Sequence, residues 1–385
     1  MSFKPAIFSF FSGAGFLDLG FEKSGFDIKF VNEYYRPFME TYIHSRREMG
    51  LPVPEYGYHL GDISEFMEAE RKKLTLLVDK ARVSNEVIGF IGGPPCPDFS
   101  VGGKNRGSDG ENGKLTATYV ELICQQKPDF FLFENVKGLW RTKKHKAFYD
   151  EMKTKLSREG YITTERLINA IEYGVPQQRE RIILLGFQAN VLEKLGGNTF
   201  SDQTLSKIFP WEKHIKFSVE DVSRFPWIST TIFEEDGVLE QPLGIPAELT
   251  VENWFMKNDV ANHPNANQYF TPRAGLVKFQ SILEGDDSKK SYKRLHRWRY
   301  SPTAAYGNNE VHLHPYKARR ISVAEALAIQ SLPKEFTLPN NITLSAAFKT
   351  VGNGVPYLAA KGIAETILDF LGVNTDETNR LQHST

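Results

Sequence analysis

At 385 residues, the chain exceeds the usual size of one hydrophobic core, and its 41% hydrophobic and 24% charged residues are typical of a globular protein with two domains. Two cysteines cannot form a disulfide framework, which favours a reducing cytoplasm, and no apolar run approaches the ~20 residues that span a bilayer. The formal net charge is zero, so the chain as a whole shows no bias toward a polyanionic partner.

The first half of the chain alternates short apolar runs with helical patterns. The predicted strands are the short apolar runs, at 7–11, 28–31, 87–91, 130–133 and 182–186. The stretches with helical periodicity lie near 15–24, 35–48, 63–82, 114–127 and 143–158. Apolar strands separated by helices predict a parallel sheet that is covered on both faces.

After residue 187 this alternation ends. Residues 190–316 are rich in Pro, Asn, Gly and aromatic residues, which predicts a smaller, irregular domain. Order returns near Ser322, a predicted helix N-cap with Glu325 three residues later. A last helix is predicted from about Pro356 to Phe370, packed on the first domain. The chain therefore divides into 1–189, 190–316 and a returning segment, 317–385.

Charge is distributed unevenly within the irregular region. Residues 201–256 hold four basic and ten acidic side chains, whereas residues 257–320 hold twelve basic and five acidic ones. Within the basic part, residues 289–300 (KKSYKRLHRWRY) interleave basic and aromatic side chains. This composition fits either a solvated charged surface or a face that contacts phosphates.

Residues 92–100 (GGPPCPDFS) carry Cys96, one of the two cysteines. The segment follows the predicted strand 87–91, so Cys96 is expected at the carboxyl end of a buried strand, where open α/β sheets hold their ligands. The prolines stiffen the backbone on both sides of the thiol. Cys96 is then either a small core residue or a nucleophile, whereas Cys124, on a predicted helix, is interpreted as a core residue.

Three segments together indicate a nucleoside cofactor. Residues 11–15 (FSGAG) form a Gly-rich turn between a strand and a helix, which lets the backbone approach a ligand. Glu33 ends the second strand and suits a ribose diol, and Asp62 with Ile63 offers a carboxylate and an apolar contact for adenine. The turn lacks the third glycine of the dinucleotide pattern, so a mononucleoside fits better than NAD.

Glu134 closes another apolar strand at the sheet edge expected for Cys96. A carboxylate at such a position needs a partner or a chemical role. Arg179 and Arg181 lead into the strand 182–186 and are spaced i, i+2, which predicts that they share one face. Glu134 and Arg181 form either a buried ion pair or, with Cys96, a set of groups that converge on one planar substrate.

Eight short motifs, in this order, resemble those of the DNA (cytosine-5) methyltransferase family in its bacterial restriction–modification form. They read FSGAG, NEY, GDI, GGPPCPDFS, ENVKGL, PQQRERIILLG, RRISVAEALAIQSLP and VGNGVP. The resemblance implies an α/β fold, the Rossmann-like mixed sheet of S-adenosylmethionine-dependent methyltransferases. It also implies that 1–189 and 317–385 form the catalytic and cofactor-binding domain, with a smaller, irregular target-recognition domain at 190–316.

The resemblance implies sequence-specific methylation of cytosine C5 in double-stranded DNA, with S-adenosyl-L-methionine as methyl donor. Cys96 would add to C6 of a cytosine flipped out of the duplex, so that C5 can attack the methyl group. Glu134 would hydrogen-bond N3 and the exocyclic amine, Arg181 would hold the O2 side, and Arg179 would support the loop or a phosphate. Release of Cys96 and of the C5 proton would yield 5-methylcytosine. The glycine-rich loop 101–110 would close over the DNA.

The cofactor contacts that the resemblance implies come from segments scattered along the chain. They are Phe11, Gly13, Gly15, Glu33, Tyr34, Asp62, Ile63, Pro95, Leu115 and Asn353. Phe11 and Ile63 would sandwich adenine, Glu33 would bind the ribose hydroxyls and Asp62 the adenine amine. The chain departs from the family's usual residues with Ser9 for Asp, Phe16 for Gly, Pro97 for Gln and Gly354 for Ser or Ala.

The resemblance also implies a cognate restriction endonuclease as a functional partner, against which the protein protects host DNA. The chain is expected to act as a monomer in the cytoplasm and not at a membrane, and its histidines lack metal-ligand spacing, so no metal is expected. One rival function is methylation of cytosine in a transfer RNA, as in one eukaryotic branch of the family. A second is a catalytically silent nucleic-acid-binding regulator, which the joint presence of Cys96, Glu134 and Arg181 disfavours. A nicotinamide oxidoreductase leaves the Pro-Pro-Cys segment unexplained.

Overall fold

The structure is a computed structural model that describes residues 4–85, 87–95, 111–140, 142–195, 200–272, 275–289, 291–304, 306 and 310–372. Cys96, Pro97 and the loop 101–110 lie outside the described residues, so the predictions made for them remain predictions. None of the helices in the described ranges is long and apolar enough to cross a membrane.

Seven strands form one sheet. They are β1 (Ala6–Phe10), β2 (Asp27–Glu33), β3 (Tyr58–Leu60), β4 (Ile88–Gly92), β5 (Phe130–Val136), β6 (Tyr161–Asn169) and β7 (Glu180–Gln188). Their spatial order is β3-β2-β1-β4-β5-β7-β6. The first five are parallel, whereas β7 runs antiparallel to both β5 and β6. The sheet is therefore mixed, as the resemblance implies, and the all-parallel arrangement predicted from the apolar runs holds only for β1 to β5.

All five predicted strands are present, and β3 and β6 are additional. β3 has only three residues, and β6 is an edge strand that carries polar residues such as Glu165 and Arg166 in its middle, so neither forms an apolar run. The helices are α1 (Phe16–Ser24), α2 (Arg36–Glu48), α3 (Arg71–Ser84), α4 (Glu111–Gln126), α5 (Lys143–Arg158), α6 (Ala189–Lys194), α7 (Asp202–Ile208), α8 (Val219–Arg224), α9 (Val251–Lys257), α10 (Leu276–Ser281), α11 (Val323–Ile329), α12 (Leu344–Asn353) and α13 (Tyr357–Phe370). The helix predicted near 63–82 is divided into a 3₁₀ turn, Ile63–Met67, and α3.

The returning segment packs as predicted. Ser322 caps α11 and forms a capping box with Glu325, whose carboxylate accepts from the Ser322 backbone N–H at 2.7 Å. α13 lies directly on α1, because a Cβ atom placed on Gly20 would be only 2.6 Å from Cβ of Ala360. This close crossing returns the C-terminal part of the chain to the first domain.

Three large apolar clusters and one small one hold the described part of the fold together. One lies on the sheet face covered by α1 and α13, and a second lies on the opposite face with α3, α4 and α5. The third joins Phe16 of α1 and Trp254 of α9 to α11 and α12. Described residues of the region 190–316 take part in several of these clusters: Leu205 and Trp211 pack with the sheet, and Trp254 packs with the returning segment. Val222 and Leu249 form the small cluster with Ile171.

Candidate active site

Several of the predicted site segments meet at one edge of the sheet. The turn 11–15 follows β1, Glu33 ends β2, residues 93–95 follow β4, and Glu134 lies near the end of β5. Because β1, β2, β4 and β5 are parallel, these ends share one edge. β7 runs the other way, so its beginning reaches the same edge, where Arg181 pairs with Val136 in the register.

Glu134 and Arg181 form a buried ion pair at this edge. The Nε–H of Arg181 donates to Oε1 of Glu134 at 2.8 Å, and Glu134 is 7% exposed. Arg181 also donates from Nη1 to the carbonyl of Glu180 at 2.7 Å, which fixes the guanidinium plane. The sequence left open an ion pair or a substrate-directed group, and the structure shows the ion pair at the edge where a substrate would lie.

Gly93 brings the turn that leads to Cys96 against Glu134. A Cβ atom on Gly93 would lie 2.7 Å from Oε2 of Glu134, so only glycine allows this approach. The Gly92-Gly93 doublet was the sequence signal for this contact, although the motif alone assigns Gly93 no role. Asn135 accepts from the Val136 backbone N–H through Oδ1 at 2.8 Å, which steadies the chain beside Glu134.

Arg179 does not share a strand face with Arg181, contrary to the expectation from their spacing. β7 begins at Glu180, so Arg179 lies just before the strand, and its side chain has other partners than that of Arg181. The Arg179 side chain is 2% exposed and donates to the carbonyls of Ala304 at 2.9 Å and Gly352 at 3.0 Å. One donor of Arg179 therefore binds backbone near the end of the region 190–316, and another binds backbone in the returning segment.

Glu33 lies against the Gly-rich turn. Its carboxylate accepts from the backbone N–H of Gly13 at 2.8 Å and from that of Tyr35 at 2.7 Å. Burial raises the pKa of Glu33, and these backbone N–H groups and the charge of Lys349 oppose the rise. Apart from its two neighbours in the chain, no atom of the described residues lies within 4 Å of a Cβ placed on Gly13, so among these residues the turn borders open space beside a buried carboxylate.

The groups predicted for adenine follow the ends of β1 and β3. Asp62 caps the 3₁₀ turn by accepting from the Ser64 N–H at 2.8 Å, and Ile63 is buried in the apolar cluster that Phe11 and Leu115 border. Phe11 has φ 52°, a left-handed conformation that costs a non-glycine residue about 1 kcal/mol or more and that marks functional turns.

The remaining predicted cofactor residues differ in exposure. Tyr34 is 70% exposed, Pro95 is half-buried, and Asn353 is exposed at the last position of α12. Gly15, with φ 84°, precedes α1, and a Cβ atom there would lie 2.5 Å from the ring of Tyr42. Both the backbone conformation and the available space thus require glycine at position 15.

Ser9, one of the departures from the family's usual residues, belongs to a buried network beneath the turn. Its hydroxyl donates to Oδ1 of Asp18 at 2.8 Å, and the Tyr42 hydroxyl donates to Oδ2 at 2.8 Å. Burial raises the pKa of Asp18 to about 6. An aspartate at position 9 would place a second carboxylate against Asp18, so serine suits this network.

Two other departures, Phe16 and Gly354, contact each other. Gly354 has φ −64° and ψ 148°, an extended backbone that any residue can adopt. A Cβ atom on Gly354 would nevertheless lie 2.1 Å from Cδ2 of Phe16. The Phe16 ring is buried and packs edge-to-face on Phe336, with 5.1 Å between ring centroids. The large side chain at 16 therefore requires glycine at 354, beside Asn353.

We expect Gly354→Ser alone to lower the free energy of unfolding by about 1–3 kcal/mol, because the added atoms force the ring or the turn to move. Phe16→Ala opens the same space, so the double variant should be more stable than the two single effects together predict. A double-mutant cycle by denaturant unfolding measures the coupling between the two positions. Additive effects would show that the two positions act independently.

The basic and aromatic segment 289–300 is neither a solvated surface nor, in its centre, a phosphate-contacting face. Arg294 is 1% exposed and donates to the carbonyl of Ile282 at 2.9 Å. Arg297 forms a buried two-point pair with Glu284, with both N–O distances 2.9 Å. His296 and Trp298 are also buried. The described basic side chains of this segment that keep solvent exposure are Lys289, Lys293 and Arg299.

Cys124, as predicted, is buried, which raises the pKa of its thiol to about 11.

The sequence as a whole matches known DNA methylases. A family model described as C-5 cytosine-specific DNA methylase matches residues 6–369. Type II methyltransferase M.NmeDI of Neisseria meningitidis serogroup C is 60% identical over 377 residues, which cover 97% of this chain and 86% of that protein. Type II methyltransferase M.FnuDI of Fusobacterium nucleatum is 28% identical over 394 residues, which cover 94% of this chain and 95% of that protein.

Solved structures share the fold. A structure from E. coli, described as a DNA modification methyltransferase encoded within a prophage, matches with a TM-score of 0.64 at 23% identity, covering 96% of this chain and 100% of that chain. The S. pombe Dnmt2 methyltransferase matches with a TM-score of 0.56 at 13% identity, covering 96% and 98%. At these identities the likeness establishes the arrangement of the sheet and helices.

Proposed function

Because the chain belongs to the C-5 cytosine-specific DNA methylase family, we propose that it methylates C5 of cytosine at a specific sequence in double-stranded DNA. The observation that carries this proposal is the buried Glu134–Arg181 pair, at 2.8 Å, next to the turn that leads to Cys96. The 60% identical relative is a type II methyltransferase, so the activity is assigned to a restriction–modification system in which methylation protects host DNA.

The pair can hold the polar side of a flipped cytosine ring. Glu134 offers a carboxyl group to N3 and to the exocyclic amine, and Arg181 offers guanidinium donors to O2. Cys96 is the nucleophile that adds to C6, because addition there makes C5 nucleophilic. Because the target atoms are inaccessible in a stacked duplex, the base must leave the helix first.

The residues around the Gly-rich turn fit S-adenosylmethionine. The open space at Gly13 admits a ligand to the backbone, and the adjacent Glu33 carboxylate suits two ribose hydroxyls. Phe11 and Ile63 provide the apolar surface for adenine. Asn353 precedes Gly354, which contacts Phe16 directly after the Gly-rich turn. The further contacts that we propose come from Gly15, Tyr34, Asp62, Pro95 and Leu115. When bound, the cofactor supplies an electrophilic methyl group.

The region 190–316 is assigned the recognition of the DNA sequence. Its exposed basic side chains can contact phosphates and base edges, whereas its buried arginines hold the region together. The alignment with M.NmeDI covers 97% of the chain and so extends through this region. We propose that the protein acts in the cytoplasm as a monomer, and that a restriction endonuclease is its functional partner.

Incubation with S-adenosylmethionine carrying a labelled methyl group tests the substrate. We expect label in duplex DNA and none in transfer RNA, and digestion of the DNA to nucleosides should place the label in 5-methylcytosine. Label in transfer RNA alone would overturn the assignment to DNA. Binding of DNA without any transfer would instead favour a catalytically silent regulator. Bisulfite sequencing of the methylated duplex then identifies the recognition sequence.

A further inference from the structure

Arg179 lies between the end of the recognition region, 190–316, and residues 351–354 at the end of α12. We call residues 351–354 the cofactor turn, because they include Asn353. The carbonyl of Gly352, which accepts from Arg179 Nη2 at 3.0 Å, immediately precedes Asn353. The carbonyl of Ala304, which accepts from Nη1 at 2.9 Å, belongs to the segment that leaves the recognition region. One buried guanidinium therefore binds two segments that are far apart in sequence.

Backbone and side-chain hydrogen bonds fix the segment 301–304 on residues 176–179. The N–H of Gln178 donates to the carbonyl of Ser301 at 2.9 Å, and the Ser301 N–H donates to the carbonyl of Pro176 at 2.8 Å. The N–H of Ala304 donates to Oε1 of Gln177 at 3.1 Å. The chain before Arg179 thus forms a rigid base for its side chain.

A second side chain holds the same cofactor turn. Nε2 of Gln330, at the end of α11, donates to the carbonyl of Val351 at 2.6 Å. The turn also has little room to move, because a Cβ atom on Gly352 would lie 3.0 Å from the backbone N of Tyr306. The carbonyls of Val351 and Gly352 therefore accept from two buried side chains, those of Gln330 and Arg179, whereas Asn353 is exposed.

We propose that Arg179 is a positioning residue for the cofactor turn and does not contact the base or a phosphate of the DNA. Its charge-assisted bond to Gly352 orients the backbone on which Asn353 lies, and loss of that bond would leave a partly buried carbonyl without this donor. At 2% exposure, its guanidinium is directed into the protein. The inference rests on the proposed function, because it takes Asn353 as a cofactor contact.

Cofactor binding in the absence of DNA distinguishes this role from a substrate contact. By isothermal titration with S-adenosylhomocysteine, Arg179→Lys is expected to weaken binding by about tenfold, the usual effect of losing a hydrogen bond to a charged group. The matched variant Arg181→Lys, two residues along, should bind S-adenosylhomocysteine as the wild type does but transfer methyl groups slowly. At saturating cofactor, Arg179→Lys should recover most of its turnover.

A second variant and a measurement of thermal unfolding separate an effect on the cofactor turn from a general loss of stability. Gln330→Met removes the neighbouring bond to Val351 and should weaken S-adenosylhomocysteine binding in the same direction, although Gln330 is fully buried. Thermal unfolding shows that each variant is folded at the titration temperature. The proposal fails if Arg179→Lys binds S-adenosylhomocysteine normally while its methyl transfer falls. A wild-type protein that neither binds S-adenosylhomocysteine nor methylates DNA would instead refute the proposed function.

Discussion

Replacing Cys96 by serine is expected to abolish methyl transfer, with a loss of roughly 10³-fold or more in turnover, because removal of a covalent nucleophile has effects of this order. A serine hydroxyl is a far poorer nucleophile than a thiolate near neutral pH, so C6 is not attacked and C5 stays unreactive. Binding of duplex DNA and of S-adenosylhomocysteine should be retained. Single-turnover transfer of labelled methyl groups, with both binding constants measured in parallel, checks the prediction.

The other cysteine provides the matched control. Cys124 lies in the apolar cluster of β4, β5 and α4, and burial raises the pKa of its thiol to about 11, so it is not a reactive group. Cys124→Ala should therefore keep wild-type turnover. A duplex with 5-fluorocytosine at the target should trap the wild-type protein as a covalent complex, because fluorine cannot leave C5 as a proton does. Trapping that persists in Cys96→Ser would assign the nucleophile to another residue.

The arrangement of the sheet edge could be predicted because each strand there is a mainly apolar run that stops at a polar or glycine-rich motif. Glu33 and Glu134 stand out for this reason: each is a carboxylate at the end of buried residues. The capping box at Ser322 was equally visible, because its two partners are only three residues apart. β6 was missed because an edge strand can carry Glu165 and Arg166 without burying them fully.

The roles of the arginines could not be predicted in the same way. Arg294 and Arg179 bind backbone carbonyls, and a carbonyl has no signature in the sequence. Arg297 pairs with Glu284, thirteen positions earlier, and only the folded chain brings the two together. A run of basic and aromatic residues has the same composition whether it faces phosphates or holds a domain together. The i, i+2 spacing of Arg179 and Arg181 also predicted a shared strand face, which is wrong because the strand begins one residue after Arg179.

Glu134→Gln is expected to reduce methyl transfer by about 10²–10⁴-fold, the range for loss of a general acid. As a thiolate adds to C6, negative charge develops toward N3 of the ring, and a carboxylic acid there can supply a proton. An amide has nearly the same shape, and its oxygen can still accept from Arg181, which lies 2.8 Å from Glu134 in the wild type. The amide cannot release a proton, so the base should still bind while the chemical step slows.

Glu180→Gln separates this effect from a general change of charge. Glu180 is adjacent to Arg181 in the chain, but its carboxylate pairs with Lys137 at 3.0 Å on the surface, where such pairs contribute little. We expect wild-type single-turnover rates for Glu180→Gln and unchanged affinity for S-adenosylhomocysteine in both variants. Equal losses of the methyl-transfer rate in Glu134→Gln and Glu180→Gln would mean that the local charge matters and not the proton of Glu134. A loss of cofactor affinity confined to Glu134→Gln would mean that the ion pair with Arg181 supports the fold of the site, and that Glu134 is not established as the acid.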